Sequence, residues 1–254
     1  MKKTKIDWAD SSWNPVAGCY HGCEYCYARN IANRFGGQII TGHDHVYVLD
    51  EPFKKDDGTI LPYPYGFDPT FHRYRLDIPQ QWKDPQRIFV CSMSDLFGEW
   101  VPQQWIEEVI TACKRAPQHT YLFLTKNPQR YLELAAKEII PCDDNFWYGS
   151  TTDVNDRPFW FARDFHTFVS VEPILERFTF EEDADKCLSD WVIIGAETGR
   201  RKGRVIPKRE WIMDFVDYGK KTDTPIFMKE SLREIMGDDF IQQTPWEAKD
   251  EQNY

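Results

Sequence analysis

Residues 87–95 read Arg-Ile-Phe-Val-Cys-Ser-Met-Ser-Asp, an apolar run that ends in small polar residues and a carboxylate. Continuous runs of β-branched and aromatic residues are typical of strands covered on both faces of a parallel sheet. Similar runs recur from here to the end of the chain, separated by segments with helical character. We predict strands at Arg87–Cys91, Thr120–Leu124, Phe146–Tyr148, Thr167–Val171, Trp191–Ile194 and Pro225–Met228.

Helix signals fall between these strands. Pro102, Pro128 and Pro207 occupy plausible first-turn positions, and Asn127 is predicted to cap the second helix. The apolar spacing of Trp105, Val109, Cys113 and of Trp211, Phe215, Tyr218 favours core packing. This alternation predicts an α/β fold, a partial (β/α) TIM-type barrel with about six to seven parallel strands.

Residues 37–86 do not show this alternation of predicted strands and helices. They contain six prolines, and Asp56-Asp57-Gly58 indicates a tight turn. We predict an irregular insertion over the barrel mouth, with one hairpin. Because the sequence contains no low-complexity tract or long linker, we expect one domain, residues 1–254.

Composition limits the functional classes. The chain has 254 residues, 41% of them hydrophobic, which is enough for a substantial core. No apolar run reaches membrane-spanning length and the first residues do not resemble a signal peptide, so we expect a cytoplasmic protein with no membrane partner. A net charge of −10 opposes non-specific nucleic-acid binding, although Arg200–Arg209 carries six bases, as a solvated loop or an anion site.

Polar residues follow the predicted strands. In parallel α/β barrels the C-terminal strand ends form the active-site floor, so we predict a ligand site there. The candidate residues are Ser92, Ser94, Asp95, Lys126, Ser150, Glu172, Gly195, Glu197 and Lys229.

Three cysteines lie in one short run, Cys19-Tyr-His-Gly-Cys23-Glu-Tyr-Cys26. Thiolates at this spacing favour an iron–sulfur cluster. A zinc site would need a fourth ligand, for which His21, His43, His45 and Cys91 are candidates, and the sequence offers no second knuckle. Unligated thiols are a third possibility. We expect the scattered Cys91, Cys113, Cys142 and Cys187 to be small buried residues.

The cysteine run lies between a short strand near Ser12–Ala17 and a helix. Ala28, Ile31, Ala32 and Phe35 follow helical spacing, which Gly36-Gly37 ends.

The run resembles the signature of radical S-adenosylmethionine (radical SAM) enzymes, including the aromatic residue before the third cysteine. The resemblance implies that Cys19, Cys23 and Cys26 hold a 4Fe–4S cluster and that Tyr25 packs near the adenine of S-adenosylmethionine. The fourth iron would bind the amino and carboxylate groups of that cofactor. Ser92, Ser94, Asp95, Ser150, Glu172, Gly195 and Glu197 are then the predicted cofactor-binding residues, and Lys126 or Lys229 would pair with the cofactor carboxylate or with substrate.

Most of the chain is also similar to a phage- and prophage-associated family of unknown function. The matching blocks are Thr4–Ala28, Gly66–Trp82, Arg87–Pro102, Ala116–Pro128, Phe168–Pro173, Asp190–Thr198 and Pro225–Lys229. Members often have a longer gap between the first two cysteines, whereas this chain has the gap of ordinary radical SAM enzymes.

These resemblances predict a radical SAM enzyme that takes an electron from a flavodoxin or ferredoxin. Phage association suggests a nucleotide or nucleic-acid base as substrate. The alternatives are a zinc- or cluster-stabilised accessory protein of a phage complex, without turnover, and a radical SAM fold that has lost its cofactor.

Overall fold

A computed structural model describes residues 4–37, 45–180, 189–199 and 201–247. It has a mixed α/β fold in which seven strands form one parallel sheet, the arrangement of a partial β/α barrel that the sequence predicts. In sheet order these strands are β1 (Ser11–Trp13), β5 (Arg87–Val90), β6 (Thr120–Thr125), β7 (Phe146–Thr151), β8 (His166–Val171), β9 (Val192–Ile194) and β10 (Ile226–Met228). The chain divides into two compact units, Met1–Phe146 and Trp147–Tyr254.

The predicted strand positions are confirmed. Five of the six predicted strands begin and end within one residue of the observed bounds. The exception is β7, which continues to Thr151 because its polar end still pairs with β8, Thr151 opposite Ser170.

The early strand predicted near Ser12–Ala17 is two strands in different sheets. β1 pairs with β5, while β2 (Val16–Ala17) joins β4 (Thr70–His72) and β3 (Tyr47–Leu49) in a second sheet. Pro15 stands between them and has no amide hydrogen to donate to a ladder. Its carbonyl instead accepts from the amide of His72 at 2.7 Å, which secures the change of direction.

The described part of the predicted insertion, residues 45–86, is irregular around these short strands. β3 and β4 are parallel, so they are not a hairpin. The predicted hairpin is the small turn around Gly58, where Lys54 and Ile60 form an antiparallel bridge. The insertion packs on the segment Cys19–Cys26, here called the cysteine loop. The contact is a hydrogen bond from the amide of Cys19 to the carbonyl of Phe67 at 3.0 Å.

The helices of the first unit are α1 (Tyr27–Phe35), α2 (Gln103–Lys114) and α3 (Gln129–Ala136). α2 buries the predicted stripe Trp105, Val109 and Cys113. The helix predicted after the cysteines is confirmed as α1, which ends before Gly36, but the predicted cap of α3 was wrong. Asn127 does not cap α3, because its side-chain amide donates to the carbonyl of Phe97 at 2.9 Å. α1 packs through its two alanines, Ala28 and Ala32, and leaves Ile31 and Phe35 exposed.

In the second unit, β8, β9 and β10 pair in parallel, and α4 (Arg209–Thr222) packs against them. The short helix α5 (Arg233–Met236) leads to a C-terminal segment that runs antiparallel to β10. The core of this unit is aliphatic, and its members include Val169, Val171, Val192, Ile194, Ile212, Phe215, Ile226 and Met228.

Two further expectations concern cysteines and membranes. Cys91 and Cys113 are buried as predicted, but Cys142 is exposed, and Cys187 lies outside the described residues. Among the helices that the structure describes, none combines the length and apolar character required to cross a membrane.

Candidate functional site

The cysteine loop begins directly after Gly18, a position where any other residue would force the chain to rearrange. Gly18 follows β2 with φ +91°, a conformation that disfavours side chains. A Cβ at this position would lie 2.3 Å from the carbonyl oxygen of Asp68. The close approach of the insertion therefore determines where Cys19 lies.

The loop ends at the first turn of α1, where Cys26 is the N-cap residue. Its Sγ accepts from the amide of Arg29 at 3.4 Å, and its own amide donates to the carbonyl of Cys23 at 3.2 Å. The positive end of a helix stabilises a thiolate. The sulfur of Cys26 therefore lies at the positive end of α1, which attracts negatively charged groups.

The three sulfurs share a partly buried environment. The side chains of Cys19, Cys23 and Cys26 are all partly buried. Burial raises the pKa of Cys19 to about 12, and the negative charges of Asp95, Cys23 and Cys26 act in the same direction. Thiolates gathered in such a place repel one another unless a cation joins them. A set of three soft donors on one loop fits a cluster ligated by three thiolates.

No group of three or more His, Cys, Asp or Glu side chains converges on a single ion position within the described ranges. Among the predicted zinc ligands, Cys91 is buried and His45 is exposed. His43 lies outside the described residues.

Asp95 connects the loop to the sheet. Its Oδ2 accepts from His21 Nε2 at 2.6 Å, from Thr125 Oγ1 at 2.9 Å and from the amide of Lys126 at 2.9 Å. Its Oδ1 accepts from the amide of Phe97 at 3.0 Å. The residue is only 6% exposed, so this carboxylate is buried and bonded by protein donors.

Ser92 and Ser94 also bond within the protein. Ser92 Oγ donates to Asn14 Oδ1 at 3.2 Å, and the amide of Met93 donates to the same oxygen at 2.9 Å. Ser94 Oγ donates to the carbonyl of Val16 at 3.1 Å. The polar residues after β5 therefore fasten β1 and β2 to that strand.

Tyr25 is held beside the cysteines by Lys126. The ammonium of Lys126 donates to the hydroxyl of Tyr25 at 2.7 Å and lies 5.3 Å from the centre of its ring. Lys126 is itself positioned by its backbone bond to Asp95. The structure thus brings together Tyr25, Asp95, Lys126 and the cysteine loop.

The predicted residues of the second unit lie at strand ends. The hydroxyl of Ser150, inside β7, is fully buried and accepts from the amide of Trp160 at 3.0 Å. Glu172 follows β8 and forms an ion pair with Lys229, which follows β10. Gly195 follows β9, and a Cβ there would lie 3.1 Å from Lys229 Cδ and 3.4 Å from Glu172 Cγ. The Glu172–Lys229 ion pair therefore occupies the space beside Gly195.

Glu197 has an internal partner as well. Arg201 donates to its two carboxylate oxygens, from Nε at 2.7 Å and from the terminal nitrogen at 2.8 Å. This bidentate contact holds the pKa of Glu197 below its usual range. Glu197 is therefore a carboxylate that Arg201 neutralises.

The basic run has many internal contacts. Besides Arg201, the contacts are Arg204 to the carbonyl of Gly199 at 2.9 Å, Lys208 to Glu210 at 3.8 Å, and Arg209 to Asp239 and to the carbonyl of Met236. Lys202 is exposed, and Arg200 lies outside the described residues. These contacts favour a surface loop with its own partners over an open anion site.

Sequence reasoning missed the roles of His21, Trp100 and Asn14. The ring of His21 lies edge-on to Trp100, with centroids 4.8 Å apart, and bonds to Asp95 across 74 residues of sequence. Local sequence patterns do not predict a contact between residues so far apart in the sequence. The signal that existed was the isolated Asp95 after a buried strand.

Comparison with known proteins gives a family and no function. A family model described as "Protein of unknown function (DUF5131)" matches residues 3–238. No curated protein and no solved structure matches the chain. Because the family model covers most of its length, the chain belongs to the DUF5131 family of proteins of unknown function.

Proposed function

We propose that this protein is a radical SAM enzyme in which Cys19, Cys23 and Cys26 hold a 4Fe–4S cluster. The observation that carries the proposal is the loop itself, with three partly buried thiols, the third at the N-terminus of α1. When bound, the cluster and S-adenosylmethionine supply reductive cleavage of the sulfonium and hydrogen-atom abstraction from substrate.

The residues around the loop have positioning roles in this proposal. Gly18 lets the chain pass close to the insertion, so that Cys19 starts from a defined point. Asp95 holds His21, and thus the middle of the loop, through a 2.6 Å bond. Lys126 orients Tyr25, whose ring is the proposed contact for the adenine.

The remaining cofactor assignments are part of the same proposal. Ser92, Ser94, Ser150, Glu172, Gly195 and Glu197 stay predicted cofactor residues. These assignments are supported by the positions of the residues, which lie at or just beyond the carboxyl ends of parallel strands. Glu172 is the member whose carboxylate is most accessible, with 28% of its side chain exposed.

We further propose a flavodoxin- or ferredoxin-type electron donor, a reducing cytoplasmic setting and a nucleotide or nucleic-acid base as substrate. An oxygen-sensitive cluster needs a reducing setting, and the resemblance to phage-associated proteins suggests the substrate class. The net charge of −10 favours a small or locally bound substrate over long duplex DNA.

One observation favours a second candidate, a metal-stabilised binding protein of a phage complex without turnover. The polar groups of Ser92, Ser94 and Asp95 already bond to protein atoms. In this candidate the metal fastens the loop, and these residues support it without contacting a cofactor.

Anaerobic reconstitution tests the two candidates. We expect iron and sulfide in near-equal amounts, a visible cluster absorbance, and dithionite-dependent 5′-deoxyadenosine from S-adenosylmethionine. Cys23→Ser, in the loop, should lose all three signals, while Cys142→Ser, an exposed cysteine outside it, should keep them.

Bound zinc without iron or sulfide would support the binding protein. A cluster that forms but neither binds nor cleaves S-adenosylmethionine in a titration would indicate the fold that has lost its cofactor. Either result would overturn the proposed enzyme.

A further inference from the structure

A cavity of about 670 Å³ lies in the second unit at the beginning of β10, at the opposite end of that strand from Lys229. Its walls come from the second half of α4, the turn into β10 and the C-terminal segment. Small-molecule sites occupy roughly 300–1,000 Å³, so the cavity has the size of a ligand site. No predicted site residue lines it.

The floor of the cavity is apolar. Val216 and Ile226 line it and belong to the aliphatic core of this unit. Met213 and Ile241 also line it and pack against that core. A ligand on this floor would need a hydrocarbon body.

The rim carries an excess of negative charge. Among the described residues, four carboxylates line the cavity, those of Asp223, Asp238, Asp239 and Glu247, against one cation, Lys220. Asp239 is paired with Arg209, and Lys220 lies 3.9 Å from Asp217. Asp223, Asp238 and Glu247 have no ion pair among the described residues. The rim therefore attracts cations.

An unpartnered hydroxyl gives an independent indication of a ligand. Thr244 lines the cavity and is only 7% exposed, and its Oγ1 has no hydrogen-bond partner within the described part of the chain. Burying a hydroxyl without a partner is costly. The preceding residue holds Thr244 in place, because the amide of Gln243 donates to the carbonyl of Ile226 at 3.0 Å.

We propose that this cavity binds a linear aliphatic di- or polyamine. The methylene chain would lie on the apolar floor, as lysine stems do on protein surfaces. Its ammonium groups would pair with Asp223 and Asp238, and one would donate to Thr244 Oγ1. A hard divalent cation such as Mg²⁺ or Ca²⁺ takes oxygen ligands and would leave the apolar floor uncovered.

Calorimetric titration of the full chain with spermidine at low salt tests this proposal. We expect one saturable site whose affinity falls as salt is added. The double variant Asp223→Asn/Asp238→Asn should bind at least about fivefold more weakly, since two ion pairs are lost. Asparagine is compatible with the φ of +54° at residue 223, so this variant should fold.

The matched control is Glu234→Gln, an exposed carboxylate of the same unit that does not line the cavity, and it should leave the affinity unchanged. Thr244→Val should weaken spermidine binding while the free protein stays folded, because only an unpartnered hydroxyl is removed. Absence of saturable binding would overturn the proposal. So would equal weakening by Glu234→Gln, or displacement of spermidine by an equimolar amount of Mg²⁺.

Discussion

The carboxylate of Asp95 accepts four hydrogen bonds, from donors in the cysteine loop, at the end of β6 and directly after it, and in its own turn. A buried carboxylate is stable only where such donors replace water. One of these donors is His21, which lies between Cys19 and Cys23. Asp95 therefore holds the cysteine loop, with the proposed cluster ligands, in a fixed position relative to the sheet. The predicted contact of Asp95 with the cofactor stays a prediction.

The variant Asp95→Asn tests this anchoring. An amide cannot accept at two oxygens, so Oδ2 or Oδ1 loses its donors, and we expect the free energy of unfolding to fall by about 3 kcal/mol. Anaerobic reconstitution should also incorporate less iron. Thr125→Val removes one donor to Asp95 and the acceptor of the Asn127 amide, and should cost less, about 2 kcal/mol. Chemical denaturation measures both, and an Asp95→Asn protein as stable as the wild type would contradict the anchoring role.

The cysteines could be recognised from sequence because their chemistry depends on local spacing. The bond between His21 and Asp95 could not, because it joins segments 74 residues apart and needs the parallel pairing of β1 with β5. The ion pair of Glu197 was easier to predict from sequence, since its partner Arg201 follows only four residues later. That arginine was interpreted as part of a basic run, which hid its pairing.

At the scale of secondary structure, the strands were predictable because buried parallel strands are nearly continuous apolar runs. Helix faces were less so. The stripe Ala28, Ile31, Ala32 and Phe35 predicts one buried face, yet only the alanines are buried. The spacing of apolar residues predicts which side of a helix faces the core, but not how closely neighbouring elements approach it. In α1 the buried contact is made by the small residues Ala28 and Ala32.

The junction between β2 and the cysteine loop gives a second prediction. Gly18→Ala should cost about 3 kcal/mol or more, because the added methyl group meets the backbone of Asp68 as well as a disfavoured φ. Gly58→Ala is the matched control. Its φ is +81° but a Cβ there has nothing within 4 Å, so it should cost only about 1 kcal/mol. Equal losses in thermal unfolding would mean that the close approach is unimportant.

At the scale of the whole molecule, the alternation of strands and helices was enough to predict a partial barrel. The second sheet, β2–β4–β3, was not predictable, because its strands are two or three residues long and β2 begins directly after Pro15. That sheet buries His72, which is 1% exposed. Its Nδ1 lies 3.3 Å from the hydroxyl of Tyr74, and its Nε2 has no partner among the described residues.

Burial, aided by the charge of Arg75, lowers the pKa of His72 from 6.5 to about 3. Below pH 6.5 the unfolded chain therefore binds a proton that the folded chain does not, and stability falls as the pH drops toward 3. Between pH 7.5 and pH 4.5 this residue should remove about 2.7 kcal/mol from the free energy of unfolding. In chemical denaturation at each pH, the free energy of unfolding of His72→Asn should fall by that much less than that of the wild type between pH 7.5 and pH 4.5. Parallel pH profiles for the two proteins would show that His72 can be protonated within the fold.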